Sequence, residues 1–402
     1  MTTGPNARET ILLDEYQTTW AELEPDDLAY IERTLTKRIG ISRPVRGGGH
    51  LLNPGPFAGI VVLPSGRRIE CRPKVPVRNF FAMLAIAFDL DPDFMAENTT
   101  LQRIDEVFEF VIGYFAELVD RRISRGLYRA YVEREDNLLA VRGRIAIAED
   151  ARRNHVLRHR TYCRFTDLTW DIPENQIVRQ VAHMTAGWVT GRALRDELRR
   201  IDRVLGEVTP VRLPAQTIDR FSYGRLNDDY RPIHRLCRLF LEGASVSEDA
   251  GVFDFRTFLF DMNALFERFV TRLLQHAATA HLELLEQRTI HLGTRGQVEM
   301  RPDIVVRQGG NTMLAIDCKY KRLDAGRFKN HDQYQILAYC TALDVTRGLL
   351  VYPRHEHSLD DEIQVRNSAV RVQQISIDLG GDRAEFAFAC QELVAEVCGL
   401  AT

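Results

Sequence analysis

The order of helix-like and strand-like segments in the last third of the chain restricts the fold more than any other feature of the sequence. A helical pattern over 262–279 follows a strand-like run over 252–260, and a second helical pattern covers 330–343. Further strand-like runs lie between and after these helices, at 281–286, 297–306, 312–317 and 348–352. This α-β-β-β-α-β order is typical of a mixed sheet covered by helices, so we predict an α/β (mixed α+β) core.

The chain before this core divides into two further regions. Residues 1–75 predict a small α/β unit, with a hairpin around Pro64-Ser65-Gly66 and a helix that Asp26 or Asp27 would cap. The following stretch is mainly helical, with helices expected at about 79–90, 103–124, 174–190, 193–205 and 231–242. At roughly 150 residues per domain, 402 residues suggest two or three domains. We therefore predict three: a small α/β domain at 1–75, a partner- or DNA-contacting region at 76–245, and the mixed core at 246–402.

Composition excludes several classes of protein. A hydrophobic content of 45% with 27% charged residues is typical of a globular protein, and no apolar run approaches the length of a membrane span. The seven cysteines are scattered without a C-x-x-C pair, which disfavours zinc and thioredoxin-like redox chemistry. We expect a cytoplasmic protein without a membrane partner, because free cysteines suit a reducing compartment and no secretion signal is visible.

Two aspartates and a lysine in the core form the strongest candidate site. Asp303 begins an apolar strand, and Asp317 and Lys319 end the next strand after a Gln-Gly-Gly-Asn turn. Because side chains alternate along a strand, Asp317 and Lys319 point to one face and Cys318 to the other. The hairpin can place Asp303 beside Asp317, where two carboxylates repel each other unless a divalent cation joins them. Mg²⁺, with Mn²⁺ as the alternative, is the expected cofactor, and the set suits metal-assisted phosphodiester hydrolysis.

Three neighbouring residues extend this candidate site. Glu267 lies on the helix before the sheet and could supply a further acid, the alternative being plain solvent exposure. Gln335 and Tyr339 lie four residues apart on the next helix and share a face. A surface amide is the alternative for Gln335, and core packing is the alternative for Tyr339. We therefore predict Asp303, Asp317, Lys319, Glu267 and Gln335 as catalytic, with Asp303 and Asp317 as metal ligands.

The use of lysine points to the same segment. Only five of the 53 basic residues are lysine, and Lys319, Lys321 and Lys329 are three of them. For Lys321 and Lys329, contact with phosphate and plain surface charge are both open interpretations. Residues 121–164 carry twelve arginines, which suggests contact with a DNA backbone, the alternative being a solvated surface. The chain contains no GxxxxGK[ST] motif, so we expect no nucleotide to be bound by the chain itself.

These residues resemble a known family. Arg301-Pro302-Asp303 followed by Asp317-Cys318-Lys319-Tyr320 resembles the PD-(D/E)xK nuclease motif, with Asp in place of Glu as the second acid. Together with 335–339 and 348–353, the motif resembles the McrC family, the nuclease subunits of McrBC 5-methylcytosine-specific restriction systems. Further matching segments extend the resemblance over roughly residues 76–395, at 76–84, 142–145, 163–165, 174–177 and 263–270.

The resemblance implies a fold, an activity and partners. It implies a restriction-endonuclease-like core and a Mg²⁺-dependent endonuclease that cleaves modified double-stranded DNA. The implied partner is a McrB-type AAA+ GTPase oligomer, which reads the modified base and which the chain stimulates. By the same resemblance, Asp303 and Asp317 hold the metal and Lys319 assists the attacking water. Two alternatives stay open: a stand-alone PD-(D/E)xK nuclease in DNA repair, and a non-catalytic activator or scaffold of an AAA+ ring.

Overall fold

A computed structural model gives the fold over residues 10–90, 103–156, 159–244, 257–278, 282–321, 330–354 and 361–400. Helices α1–α10 of this part run Pro25–Thr34, Val77–Ala87, Ile104–Arg125, Ile147–Arg153, Pro173–Thr185, Arg192–Val204, Tyr230–Gly243, Met262–Ala277, Asn330–Leu343 and Arg383–Leu400. Strands β1–β9 run Ile11–Asp14, Thr19–Ala21, Gly40–Ser42, His50–Asn53, Phe57–Val62, Arg68–Arg72, Ala130–Leu138, Arg144–Ile145 and Thr161–Thr169. Strands β10–β18 run Thr257–Asp261, Leu282–Glu286, Ile290–Leu292, Val298–Met300, Ile304–Gln308, Asn311–Cys318, Arg347–Pro353, Asp361–Gln364 and Arg371–Ile377. The prediction of a mixed α and β fold is confirmed.

The chain forms two compact units, one of which is discontinuous in sequence. Met1–Phe108 and Gly243–Thr402 form the first unit, and Glu109–Glu242 form the second. The second unit contains α4, α5 and α6, with most of α3 and α7, beside a three-stranded sheet ordered β7-β9-β8. None of the helices in the part of the chain given above is long and apolar enough to cross a membrane. The predicted domain limits at residues 75 and 245 stay predictions.

The N-terminal residues share a sheet with a strand that lies much later in the sequence. The order in this four-stranded sheet is β1-β6-β5-β10, so β10 pairs antiparallel with β5 and β1 pairs parallel with β6. The predicted hairpin is confirmed as β5 and β6. Apolar side chains of α1 and of this sheet bury one another, including Ile31, Leu35 and Leu259. The N-terminal segment and β10 are therefore stabilised by one hydrophobic core.

The start of α1 differs from the prediction. Pro25 occupies the first helical turn and Glu24 precedes it as the N-cap, so neither Asp26 nor Asp27 caps the helix. Proline suits this position because its missing N–H would have no helical partner. Asp27 is buried and instead accepts hydrogen bonds from the amide and the hydroxyl of Ser65, at 2.9 and 2.7 Å. The aspartate thus fixes the β5–β6 turn to the helix.

The candidate site lies on a six-stranded sheet ordered β11-β14-β15-β16-β18-β17. Strands β15, β16 and β18 are parallel neighbours, and β11, β14 and β15 are antiparallel. Helix α9 packs its apolar face, including Ile336 and Tyr339, against Ala315, Leu350 and Tyr352 of the sheet. The sheet is therefore mixed, as its sequence pattern predicts.

One run that the sequence predicts as a single strand forms two strands in the structure. The run expected over 297–306 is divided into β13, which pairs only with β12 in a separate two-stranded sheet, and β14 in the six-stranded sheet. The break falls at Arg301–Asp303, where Pro302 has no N–H to donate to a ladder. Asp303 therefore lies immediately before the first residue of β14, Ile304. The run expected over 252–260 is seen only from Thr257, and residue 281 of another predicted run lies outside the part of the chain given above.

Candidate active site

A tight hairpin brings the two aspartates together. Gly309 and Gly310 connect β14 to β15, and both have positive φ, 57° and 87°, as a two-residue hairpin turn requires. The register pairs Ile304 with Ile316, so one residue further on Asp303 lies opposite Asp317. The Asp303 carboxylate accepts a hydrogen bond from the backbone N–H of Cys318 at 2.7 Å. The predicted juxtaposition of the two acids is therefore present.

Asp317 is a buried carboxylate with little hydrogen bonding. Its side chain is 1% exposed, and Lys319 Nζ lies 2.6 Å from its Oδ2. This ion pair holds Oδ2, whereas Oδ1 is buried and has no hydrogen-bond partner among the residues that the structure describes. Buried polar atoms are usually paired, so Oδ1 is suited to a ligand that the protein itself does not supply.

The shared burial of the two acids makes their charges costly. Burial raises the pKa of Asp303 to about 7, and the charges of Asp317 and Glu267 add to the rise. Burial likewise raises the pKa of Asp317, although the neighbouring Lys319 opposes the rise. The ionised pair is therefore unfavourable in the protein alone and would be relieved by a divalent cation.

Lys319 is the positively charged neighbour of these two acids. Its side chain is 23% exposed, and its backbone N–H donates to the carbonyl of Val351 at 2.9 Å, which ties the end of β15 to β16. Burial alone would lower the pKa of Lys319, but the charges of Asp317 and Asp303 more than offset it and raise the pKa. Lys319 is thus a fixed ammonium beside the two carboxylates, as the alternation along β15 predicts.

Glu267 is the third acid of the site, and no sequence pattern indicates the residue that holds it. Its carboxylate on α8 accepts a hydrogen bond from Gln287 Nε2 at 2.7 Å, and burial raises its pKa. Gln287 has a left-handed backbone, φ 41°, and its N–H donates to the carbonyl of Asp303 at 3.0 Å. Gln287 therefore links Glu267 to Asp303, and the alternative of plain solvent exposure for Glu267 is wrong.

Gln335 and Tyr339 also lie at the site. Gln335 Nε2 donates to the Tyr339 hydroxyl at 2.6 Å, which confirms that the two share a helical face. The hydroxyl in turn donates to the carbonyl of Arg301 at 3.1 Å. Tyr339 thus serves both core packing and the position of the segment that precedes Asp303. The catalytic role predicted for Gln335 stays a prediction.

A second ion pair lies beside the first. Asp332 on α9 is fully buried and pairs with Lys321 Nζ at 2.5 Å, while the Tyr352 hydroxyl donates to it at 2.9 Å. Lys321 is therefore not a plain surface charge, because its ammonium neutralises a buried acid. Sequence patterns did not indicate this role, since the three residues come from separate elements. Lys329 lies outside the part of the chain that the structure describes.

The donor set fits a hard divalent cation. Within the described residues, no cluster of three or more histidine, cysteine or acidic side chains has the geometry of a complete metal centre. Mg²⁺ does not require one, because it is usually held by one or two carboxylates and completed by water and substrate phosphate. Asp303 and Asp317 meet that description, and the unpaired Oδ1 of Asp317 supplies a free ligand position.

Several arginines of the 121–164 segment already have acidic partners within the second unit. Arg142 lies 2.7 Å from Asp167, and Arg152 lies 2.6 Å from Glu149. A paired arginine must exchange its carboxylate for a phosphate before it can bind DNA. The DNA-backbone role of this segment stays a prediction.

Known proteins resemble this chain in sequence and fold. A family model described as McrBC 5-methylcytosine restriction system component matches residues 52–353. The type IV methyl-directed restriction enzyme EcoKMcrBC of Escherichia coli (strain K12) is 23% identical over 308 residues, which cover 70% of this chain and 87% of that relative.

Among solved structures, two from one organism are similar to this chain. One is a refined half-complex from the tetradecameric assembly of Thermococcus gammatolerans McrB AAA+ hexamers with bound McrC. It contains a chain with a TM-score of 0.60 and 18% identity, over 98% of this chain and 100% of that one. The cryo-EM structure of the Thermococcus gammatolerans McrBC complex aligns with a TM-score of 0.43 and 21% identity, over 67% of this chain and 89% of that one. At these identities the first likeness shows a shared fold.

Proposed function

Because this chain belongs to the family of McrBC 5-methylcytosine restriction system components, we propose that it is the DNA-cleaving subunit of such a system. The proposed reaction is Mg²⁺-dependent hydrolysis of phosphodiester bonds in double-stranded DNA that contains methylcytosine. The proposed partner is a McrB-type AAA+ GTPase oligomer, which the chain stimulates.

One observation carries the nuclease proposal. Asp317 is buried with its Oδ1 unpaired, Asp303 lies opposite it, and Lys319 Nζ lies 2.6 Å from its Oδ2. A protein gains nothing in stability from two buried carboxylates side by side, so we attribute their retention to binding and chemistry.

The residues would divide the chemistry between them. Asp303 and Asp317 would hold the cation, and a bound Mg²⁺ supplies Lewis-acid stabilisation of charge on phosphate oxygens. Lys319 would hold the attacking water or a phosphate oxygen through its ammonium N–H groups. Glu267, held by Gln287, would orient a water on the same side. Gln335 would donate an amide N–H to the substrate once its bond to Tyr339 opens.

The proposal of an AAA+ GTPase partner rests on the shared fold and on the lack of a nucleotide-binding motif in this sequence. The solved structure with which this chain shares its fold contains McrB AAA+ hexamers with bound McrC. The present sequence has no GxxxxGK[ST] loop for a nucleoside triphosphate, so a separate subunit would supply nucleotide hydrolysis and recognition of the modified base.

The test uses the chain reconstituted with its AAA+ partner on methylated plasmid DNA. We expect Asp317→Ala to abolish cutting in Mg²⁺ while the GTPase rate stays stimulated, because the substitution removes a cation ligand and leaves the rest of the surface intact. Asp361→Asn is the matched control, since Asp361 is an exposed acid on the same sheet. Cutting by Asp317→Ala at the wild-type rate would refute the assignment.

The same experiment separates the alternatives. Cutting by the purified chain without any nucleotide-hydrolysing partner would favour a stand-alone nuclease. Stimulation of the GTPase with no cutting by the wild-type chain in Mg²⁺ or Mn²⁺ would favour a non-catalytic activator.

A further inference from the structure

A buried hydrogen bond joins the N-terminal segment to the end of the strand that carries Lys319. Tyr320 follows Lys319 directly and is 3% exposed, and its hydroxyl donates to Glu15 Oε2 at 3.1 Å. Glu15 follows β1 and is itself fully buried. The two residues are 305 positions apart in sequence, so this contact is made only by the folded chain.

Glu15 is held in place independently of Tyr320. Its backbone N–H donates to the carbonyl of Arg72 at 3.0 Å, and its Oε2 also accepts the N–H of Lys74 at 3.0 Å. Its other oxygen, Oε1, is buried and receives no hydrogen bond from the part of the chain that the structure describes. A buried carboxylate with one unpaired oxygen is costly for the fold, which indicates a role other than stability.

The two residues that follow Lys319 are anchored by different elements. Strand β15 ends at Cys318, and the N–H of Lys321 donates to the carbonyl of Lys319 at 3.0 Å in a tight turn. Glu15 holds Tyr320, whose ring centroid is 5.8 Å from that of Phe266. Asp332 on α9 holds Lys321. Lys319 is therefore followed directly by two residues that separate elements of the fold hold in place.

The N-terminal segment contacts the element that carries Glu267 as well. Strand β5 pairs with β10, which leads directly into α8, and the Tyr30 hydroxyl is 2.8 Å from Thr257 Oγ1. Asp261 at the end of β10 caps α8 by accepting from the N–H of Asn263 at 2.9 Å. The same segment thus braces the elements that bear Glu267 and Lys319.

We propose that Glu15 is a positioning residue of the nuclease site, which acts through Tyr320 to fix Lys319 beside Asp317. This inference rests on the proposed nuclease function and gives the N-terminal segment a role in it. The N-terminal segment would then support the cutting site through Glu15 rather than form a separate module.

The first test is a double-mutant cycle on cutting rate in the reconstituted complex. We expect Glu15→Ala and Tyr320→Phe each to lower kcat about 10-fold, with KM for DNA and GTPase stimulation unchanged, because neither residue touches DNA in the proposed mechanism. The double variant should be no slower than the slower single variant, since both remove one interaction. Glu15→Gln should retain a rate within about 3-fold of wild type, because an amide oxygen still accepts from Tyr320 and Lys74.

Ser65→Ala is the matched control, since it also removes a hydrogen bond from a hydroxyl to a buried carboxylate of the N-terminal segment, that of Asp27 on α1. Its kcat should equal that of the wild type. Wild-type kcat in Glu15→Ala, multiplicative losses in the double variant, or an equal loss in Ser65→Ala would each overturn the proposal.

A second measurement does not depend on cutting. Hydrogen–deuterium exchange of the 311–321 peptide should be faster in Glu15→Ala and in Tyr320→Phe than in wild type, and unchanged in Glu15→Gln. Exchange at the wild-type rate in both would overturn the positioning role. Faster exchange in a chain whose wild type does not cut DNA would support the contact and refute the nuclease proposal instead.

Discussion

Replacing Asp303 with asparagine should stabilise the protein at alkaline pH in the absence of a divalent cation while abolishing cleavage. Asparagine is the same size and its carbonyl oxygen can still accept from the N–H of Cys318. The substitution removes one of two like charges buried together. A site selected for stability would not contain that pair, so the gain measures what the function costs the fold.

The size of the effect follows from the pKa of Asp303. Its value is raised from 3.8 to about 7 in the folded protein. A carboxyl group whose pKa is raised by folding contributes stability that is fully present below its pKa in the unfolded chain. This contribution is lost as the pH rises through its pKa in the folded protein. A separation of about three units corresponds to about 4 kcal/mol at pH 8, of which less than half is already lost at pH 5. We therefore expect Asp303→Asn to recover about 2–4 kcal/mol at pH 8 and less at pH 5.

Thermal unfolding in EDTA measures this difference. The melting temperature of Asp303→Asn should exceed that of wild type by about 4 °C or more at pH 8 and by a smaller amount at pH 5. Addition of excess Mg²⁺ should raise the wild-type value and leave the variant unchanged, because a ligand stabilises only the state that binds it. Asp361→Asn controls for the loss of one negative charge. Equal melting temperatures of wild type and Asp303→Asn at pH 8 would refute the reasoning.

Four further substitutions or conditions test other parts of the structure. Lys319→Arg should reduce cutting by at least about 100-fold with GTPase stimulation retained, because the bulkier guanidinium cannot replace a compact ammonium beside Asp317; unchanged cutting in a plasmid assay would exclude the role given to Lys319. Asp332→Ala should destabilise the protein by about 3 kcal/mol in urea unfolding, because it leaves Lys321 and the Tyr352 hydroxyl without their buried partner, and a midpoint equal to wild type would contradict this. Burial lowers the pKa of His234 to about 4, so stability is full above about pH 6.5 and is lost as pH falls towards 4. Urea unfolding should show a loss of about 3 kcal/mol over that interval that His234→Asn lacks, and parallel pH profiles of the two proteins would count against it. Gly310→Val should lower the free energy of unfolding by about 1–2 kcal/mol, because the φ of 87° at this position is strained for a β-branched residue. Equal urea midpoints of Gly310→Val and the wild type would argue against a strict requirement for glycine in this turn.

Local sequence patterns were enough to predict the three residues at the centre of the site. Alternation along a strand placed Asp317 and Lys319 on one face, and the two-glycine turn placed Asp303 opposite. Helical spacing likewise placed Gln335 and Tyr339 on one face. Each of these inferences uses only residues close together in the chain, where backbone geometry alone fixes which side chains share a face.

The supporting contacts could not be predicted because they join distant parts of the sequence. Gln287 acts through a left-handed backbone that no local pattern marks. Asp332 resembles any acid in the first turn of a helix, and its burial depends on Tyr352 from another strand. Glu15 looks like one of many acids near the N-terminus, although it meets Tyr320 in the folded chain. Pro302 was part of a predicted strand, yet it interrupts the ladder because it has no N–H.

The pairing of β5 with β10 has a consequence for biosynthesis. These partners are separated by about 200 residues, so the N-terminal sheet lacks its fourth strand until most of the chain has left the ribosome. At roughly 5–20 residues per second, that delay is about 10–40 s. The intervening unit can fold during this time, since its own sequence is continuous. The elements that bear Glu267 and Lys319 are synthesised after it and assemble last. A nascent chain would therefore lack the assembled candidate site until the last third of the sequence has been made.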